Sequence, residues 1–184
     1  VPISINASSL HASDPQTINT YISILKKYNV DPAMVEIELT ETAVVSEYES
    51  VRKLFDSFQL HGIKTAMDDF GSGYSVLNTI VDIPVDVIKI DRGFITSCLE
   101  TDRGIYFLKH LIGMIQNLGY QIICEGVETD EQIEILRQIG CDEIQGYWYS
   151  KPLKMEDYKE LLQTEKISKG GAKHPNRQKV IRYA

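Results

Sequence analysis

The sequence predicts an α/β fold of the TIM-type (β/α) barrel class, incomplete at its N-terminus, with about six of eight strand–helix units present. Three observations predict it. Short β-branched runs alternate with amphipathic helical patterns six times over, the signature of a parallel sheet. Each run delivers a polar residue to the end of its strand or just past it. These residues, Asn6, Glu38, Asp68, Lys89, Glu125 and Gln145, are spaced by 32, 30, 21, 36 and 20 positions, about one βα unit each. A doubly wound sheet concentrates function at one switch point, whereas a barrel brings all strand ends to one face.

The elements follow in order. The strands are expected over residues 2–6, 35–39, 63–67, 85–90, 121–124 and 143–147. Between them, "TINTYISILKKY", "YESVRKLFDSFQL", "GIYFLKHLIGMIQNLG" and "DEQIEILRQIG" repeat apolar positions at three- and four-residue spacing. Gly62, Gly119 and Gly140 stand where helices should stop. A last helix is expected over residues 155–163, after Pro152. The opening "VPISINASSL" enters an alternation already under way, which places the missing units upstream.

At 184 residues the chain is long enough for one domain with a core, and 43% hydrophobic and 24% charged residues are ordinary for a globular protein. No apolar run approaches the roughly 20 residues of a membrane span, and no signal peptide opens the chain, so a cytoplasmic location is expected. Residues 1–163 hold 13 Lys and Arg against 25 Asp and Glu, a net of −12, which excludes a nonspecific DNA or RNA binder. Residues 164–184 hold six bases against Glu165 and read as a separate basic polar tail, in which "KVIRY" could pair as a strand. Cys98, Cys124 and Cys141 form no CxxC and are expected to stay reduced; His11, His61, His110 and His174 lack zinc-ligand spacing.

The chemistry centres on "TAMDDFGSGYS". Its glycines fit neither a dinucleotide fingerprint, because Val76 takes the third glycine position, nor a P-loop, because no GK[ST] follows. Alone, the stretch reads as a tight strand-to-helix turn capped by Ser72 or Ser75. Two adjacent carboxylates repel, and a phosphate nearby worsens the field unless a divalent cation joins them. Successive strand side chains diverge, so Asp68 and Asp69 can converge only where the chain turns, for which Phe70-Gly71 is the expected place. Asn6 and Glu38 add oxygen ligands suited to Mg²⁺ or Mn²⁺, and two such ions can clamp a displacement at phosphorus. Taken singly, Glu38 and Glu125 read as solvated strand ends, Lys89 as a partner of Asp91 or Asp68, and Gln145 as a turn cap. Six polar strand ends together argue for one site.

In order and spacing, "SINAS", "IELTET", "MDDFGSGYS", "VIKIDRGF", "CEGVET" and "IQGYWYSKPL" resemble the EAL-domain phosphodiesterases of cyclic di-GMP, over about residues 1–163. The resemblance implies metal-dependent hydrolysis of this bacterial second messenger to linear pGpG. It implies Asn6, Glu38 and Asp68 as ligands of a first metal, and Asp68 and Asp69 as ligands of a second, with Asp68 bridging. Lys89 resembles the lysine that polarises the attacking water. Glu125 resembles the essential glutamate, described as general base or second-metal ligand. Gln145 resembles a polar residue near water and substrate, Glu41 the anchor of the glycine loop, and Glu128 a support one turn on.

The chain contains no Glu-Ala-Leu, the family's signature and source of a further metal ligand, so the isolated chain is expected to be inactive. The resemblance also implies a homodimer, with sensory or diguanylate-cyclase-like domains in the parent protein. Two other readings stand beside it. One is a cyclic di-GMP receptor that binds without cutting. The other is an enolase-like barrel with Mg²⁺ and a lysine base, which leaves the adjacent acid pair and its glycine turn unexplained.

Overall fold

The structure, a computed structural model, describes residues 2–14, 16–73 and 80–168. Strands β1 (Ile3–Asn6), β2 (Val35–Thr40), β3 (Lys64–Phe70), β4 (Val87–Ile90), β5 (Gln121–Cys124) and β6 (Glu143–Ile144) form one sheet. All five neighbouring pairs are parallel, and spatial order equals chain order. A doubly wound sheet reverses its order at a switch point; here every crossover continues the same turn, as in a barrel. The observed architecture is thus a six-strand sector of a TIM-type barrel.

The helices are α1 (Ser9–Ser13), α2 (Thr17–Tyr28), α3 (Glu41–Ser46), α4 (Tyr48–Leu60), α5 (Arg92–Leu99), α6 (Asp102–Asn117), α7 (Asp130–Gln138) and α8 (Met155–Ser168). Their inward stripes follow the sequence periodicity: α4 buries Val51, Leu54, Phe55 and Phe58, and α6 buries Leu108, Leu111, Ile112 and Ile115. Thr101 caps α6 by accepting the Gly104 N–H at 3.0 Å, and Thr129 with Gln132 forms a capping box on α7. Gly62, Gly119 and Gly140, the expected stops, have φ of 77°, 95° and 87°.

Three helices depart from the periodicity reading. α1, α3 and α5 span 5, 6 and 8 residues, too short to display a 3.6-residue repeat. α8 extends past the expected end at 163 to Ser168, so the change in composition does not end the helix. "KVIRY", Ser75 and Val76 lie outside the described residues. Among the described residues, no helix is long and apolar enough to cross a membrane.

Strand alternation divides the sheet into two unlike faces. Val35, Ile37, Leu39, Met67, Ile88, Ile90, Ile122 and Cys124 join the large core beneath the helices. Ala66, Val87 and Ile123 form a small separate core on the other face. The rest of that inner face is polar. Ser4 pairs in register with Glu36 and donates to its Oε1 at 3.1 Å, while Asn6 pairs with Glu38. At the opposite side Gln121 donates to Glu143 Oε1 at 2.6 Å. The inner face therefore carries the chemistry, and the outer face carries most of the burial.

Candidate functional site

The inner-face residues nearest the C-terminal strand ends converge on Lys89. Its Nζ lies 3.1 Å from Glu38 Oε2, 2.9 Å from Asp68 Oδ1 and 2.6 Å from Glu125 Oε1. These carboxylates come from β2, β3 and the residue after β5, so one ammonium from β4 gathers its near neighbours. Lys89 is 3% exposed and Glu38 4%, so water screens little of this field. Burial alone would lower the Lys89 ammonium, but the charges of Glu125, Glu38 and Asp68 reverse this and hold it above its ordinary value.

Asp69 joins through a break in strand register. Met67 pairs with Ile88 and Phe70 with Ile90, so two residues, Asp68 and Asp69, stand opposite the single residue Lys89. That is a β-bulge, and Asp69 adopts the left-handed conformation at φ 56°. The left-handed backbone costs a non-glycine residue about 1–2 kcal/mol, least for Asn and Asp. The expected turn at Phe70-Gly71 is therefore displaced: Asp69 itself turns the chain, inside the strand. Phe70 remains paired because its ring is buried in the outer core. Burial, then repulsion from Asp68 and Asp91, raises the Asp69 carboxyl above the ordinary carboxylate range.

Glu41 stands apart from the cluster, at the start of α3. Buried at 3% exposure, it accepts the Gly71 N–H on Oε2 at 2.7 Å, and a Cβ on Gly73 would collide with the same carboxylate. Gly71 has φ 97°, and a Cβ there would meet the Phe94 ring at 2.7 Å. The glycines thus let the chain wrap a buried carboxylate as it leaves the bulge.

Glu125 is set by backbone pairing on both sides of its strand. Its N–H donates to Ile90 O at 3.0 Å, and the preceding carbonyl, of Cys124, accepts the Gln145 N–H at 2.9 Å. Burial raises the Glu125 carboxyl above its ordinary range, against the pull of Lys89 and with help from Asp68. Gln145 follows β6, which is two residues long rather than the expected five. Past β6 the chain pairs with Val127, whose N–H donates to Gln145 O at 3.1 Å, and a Cβ on Gly146 would collide with the Val127 backbone. Glu128 is also outside the cluster, 2.8 Å from Arg92 Nη1 on half-exposed side chains.

Arg92 is the residue that sequence reasoning missed. Its stem lies where a Cβ of Gly126 would go, so it packs on the turn between Glu125 and Glu128. The available signal was the "IDR" after β4, in which Asp91 caps α5 by accepting the Phe94 N–H at 3.0 Å. Asn6, exposed at the end of β1, is brought beside Glu38 by register alone.

The donor set is all oxygen, which suits a hard cation such as Mg²⁺ or Mn²⁺. Asp68 Oδ1, Glu125 Oε1 and Gln145 Oε1 are buried and make no directional hydrogen bond. The first two instead face the Lys89 ammonium, at 2.9 and 2.6 Å. Chemically the residues fit a divalent cation. In the arrangement observed, Lys89 holds three of the carboxylates, and among the described residues no three His, Cys, Asp or Glu side chains surround a common cation position.

Comparison with known proteins agrees with this fold. The chain is 35% identical over 155 residues to the oxygen sensor protein DosP of Escherichia coli, covering 84% of this chain and 19% of the relative. It is 34% identical over 131 residues to the cyclic di-GMP phosphodiesterase RocR of Pseudomonas aeruginosa, covering 71% of this chain and 33% of the relative. Among solved structures, the PaMucR phosphodiesterase in complex with c-di-GMP superposes with a TM-score of 0.78 at 27% identity, over 85% of this chain and 64% of that one. The chain spans about a fifth of the length of several curated relatives that it matches. The profile of the EAL domain matches residues 1–152, nearly the whole of the sheet and its helices, and the chain belongs to the EAL domain family.

Proposed function

We propose that this chain forms the hydrolytic core of a cyclic di-GMP phosphodiesterase, opening one phosphodiester bond to give linear pGpG. The observation that carries this reading is the buried ammonium of Lys89 among carboxylates from three neighbouring strand segments. A relative named for this activity and a solved structure holding c-di-GMP support it. Water adds to phosphorus in line with a leaving ribose oxygen. Lys89 Nζ orients and polarises that water, and Glu125 Oε1 accepts its proton. Gln145 Oε1 is free to bind substrate or water. Glu41 and Glu128 fix the loops on either side. Two Mg²⁺ or Mn²⁺ ions, held by Asn6, Glu38, Asp68, Asp69 and Glu125, would supply positive charge against the phosphate oxygens. The short span relative to its relatives supports additional sensory or cyclase-like domains in the parent protein, and we propose a homodimer as its working state.

A second reading, a receptor that binds cyclic di-GMP without cutting it, is favoured by the lysine-bridged carboxylates. The test assays pGpG formation with Mg²⁺ or Mn²⁺ for the chain and for a version extended upstream to carry a Glu-Ala-Leu segment. The expected result is turnover in the extended form, little in the chain alone, and none in either Asp68→Asn variant. Binding without pGpG in the extended form selects the receptor. Neither binding nor turnover in the extended form rejects both readings. Mn²⁺ should raise the melting temperature of the wild type and barely move that of Asp68→Asn, whereas equal shifts reject the metal assignment.

A further inference from the structure

The two cysteines that sequence separation keeps 17 residues apart meet in space. Cys124 ends β5 on the outer face and is fully buried, whereas Cys141, between α7 and β6, is half-buried. Their Sγ atoms stand 3.0 Å apart. The third thiol, Cys98, is buried on α5.

The approach is held from several sides. The Cys141 N–H donates to Leu136 O at 3.0 Å, fixing the residue to the end of α7. Asp142 accepts the Ile122 N–H on Oδ2 at 3.0 Å and the Gln116 amide on Oδ1 at 3.0 Å, tying the same turn to β5 and α6. A disulfide needs about 2.05 Å between sulfurs, so closure asks for a shift of about 1 Å shared by two side chains. Both thiols also have a bland role, since Cys141 Sγ lies 3.0 Å from Glu143 O and can donate to it as a packed thiol. A packed thiol needs no sulfur at its side; a resolving cysteine does.

We propose that Cys124 and Cys141 form a reversible disulfide, a modification site for a two-electron oxidant of the hydroperoxide class. Cys141 is the half-buried member that an oxidant can reach, so its sulfur attacks the peroxide. An S–O bond forms, the O–O bond breaks, and an alcohol or water leaves. The Cys124 sulfur then attacks Cys141: the S–S bond forms, the S–O bond breaks, and water carries away the oxygen and the thiol proton. Two thiols lose two electrons in all, and one hydroperoxide gains them. Such pairs in thiol-reducing compartments are usually transient and redox-sensing. The bridge fastens β5 to the turn before β6, one residue before Glu125, and its formation does not depend on hydrolysis by the site.

The test exposes the folded chain to hydrogen peroxide, blocks remaining thiols with N-ethylmaleimide and maps peptides by mass. The expected product joins the Cys124 and Cys141 peptides with loss of two hydrogens, leaves Cys98 alkylated, and is undone by dithiothreitol. The Cys124→Ala variant should instead accumulate sulfenic acid at Cys141 that dimedone traps, because the resolving sulfur is gone. The proposal is overturned if wild-type Cys141 proceeds to sulfinic acid while Cys124 stays reduced. Linkage through Cys98, linkage only between separate chains, or no thiol loss at all also overturns it.

Discussion

The end of β3 and the loop after β5 each deliver a carboxylate to Lys89, and they are held in opposite ways. The first, Asp68 to Gly73, wraps a buried glutamate, Glu41, whose oxygen accepts a backbone N–H. The second, Glu125 to Glu128, lies under a half-exposed arginine that reaches over Gly126 to pair with Glu128. A buried acceptor that satisfies backbone cannot be replaced by water, whereas an exposed ion pair competes with water and salt at every moment. The difference predicts that the β3 segment depends on its buried side-chain anchor, whereas the β5 loop, whose backbone is paired through Glu125 and Val127, depends little on its arginine.

The comparison can be broken by four substitutions. Glu41→Ala removes the acceptor of the Gly71 N–H, and should cost about 1–3 kcal/mol of stability and reduce any turnover by more than about tenfold. Urea melts of the variant and wild type read the first effect, and pGpG formation by the extended protein reads the second. A wild-type melt would mean that water replaces the carboxylate and that the loop is not held from inside.

Gly126→Ala ranks second. The residue has φ 65°, and the new methyl displaces the Arg92 stem, so about 1–2 kcal/mol should be lost. Gly73→Ala presses on the Glu41 carboxylate without a left-handed backbone, and about 1 kcal/mol is expected, mostly absent in a Glu41→Ala background. Full additivity in that double mutant would show that Gly73 and Glu41 do not act together.

Arg92→Ala should have the smallest effect, under about 1 kcal/mol, and that effect should shrink between low and high salt. The Glu41→Ala loss should stay constant across the same salts. Equal salt dependence in the two variants would erase the distinction between the loops.

The sequence made the strand–helix alternation and the helix stops legible because both rest on local signals, burial period and left-handed glycines. Lys89, Glu38, Asp68 and Glu125 were legible as strand-end polar residues. That a lysine would gather three of the acids was not, because register between strands decides it. The bulge left a faint mark: the outer-face positions Thr65 and Met67 are two apart, but the next, Phe70, is three away. That broken interval, rather than the glycines after it, marked where the backbone turns. Arg92 and the Cys124–Cys141 pair escaped because each acts across a crossover, between residues that no local spacing relates.

The strand order has a consequence for how the chain reaches this state. Each strand finds its earlier partner in the strand just before it, never in one still to come. A chain emerging N-terminus first can therefore add one strand and one helix at a time to an existing edge, at each step closing only the short loop of a single crossover. The sheet can grow during synthesis like masonry laid course by course, and the carboxylates of β2 and β3 are already side by side when Lys89 arrives on β4 to offset part of their repulsion.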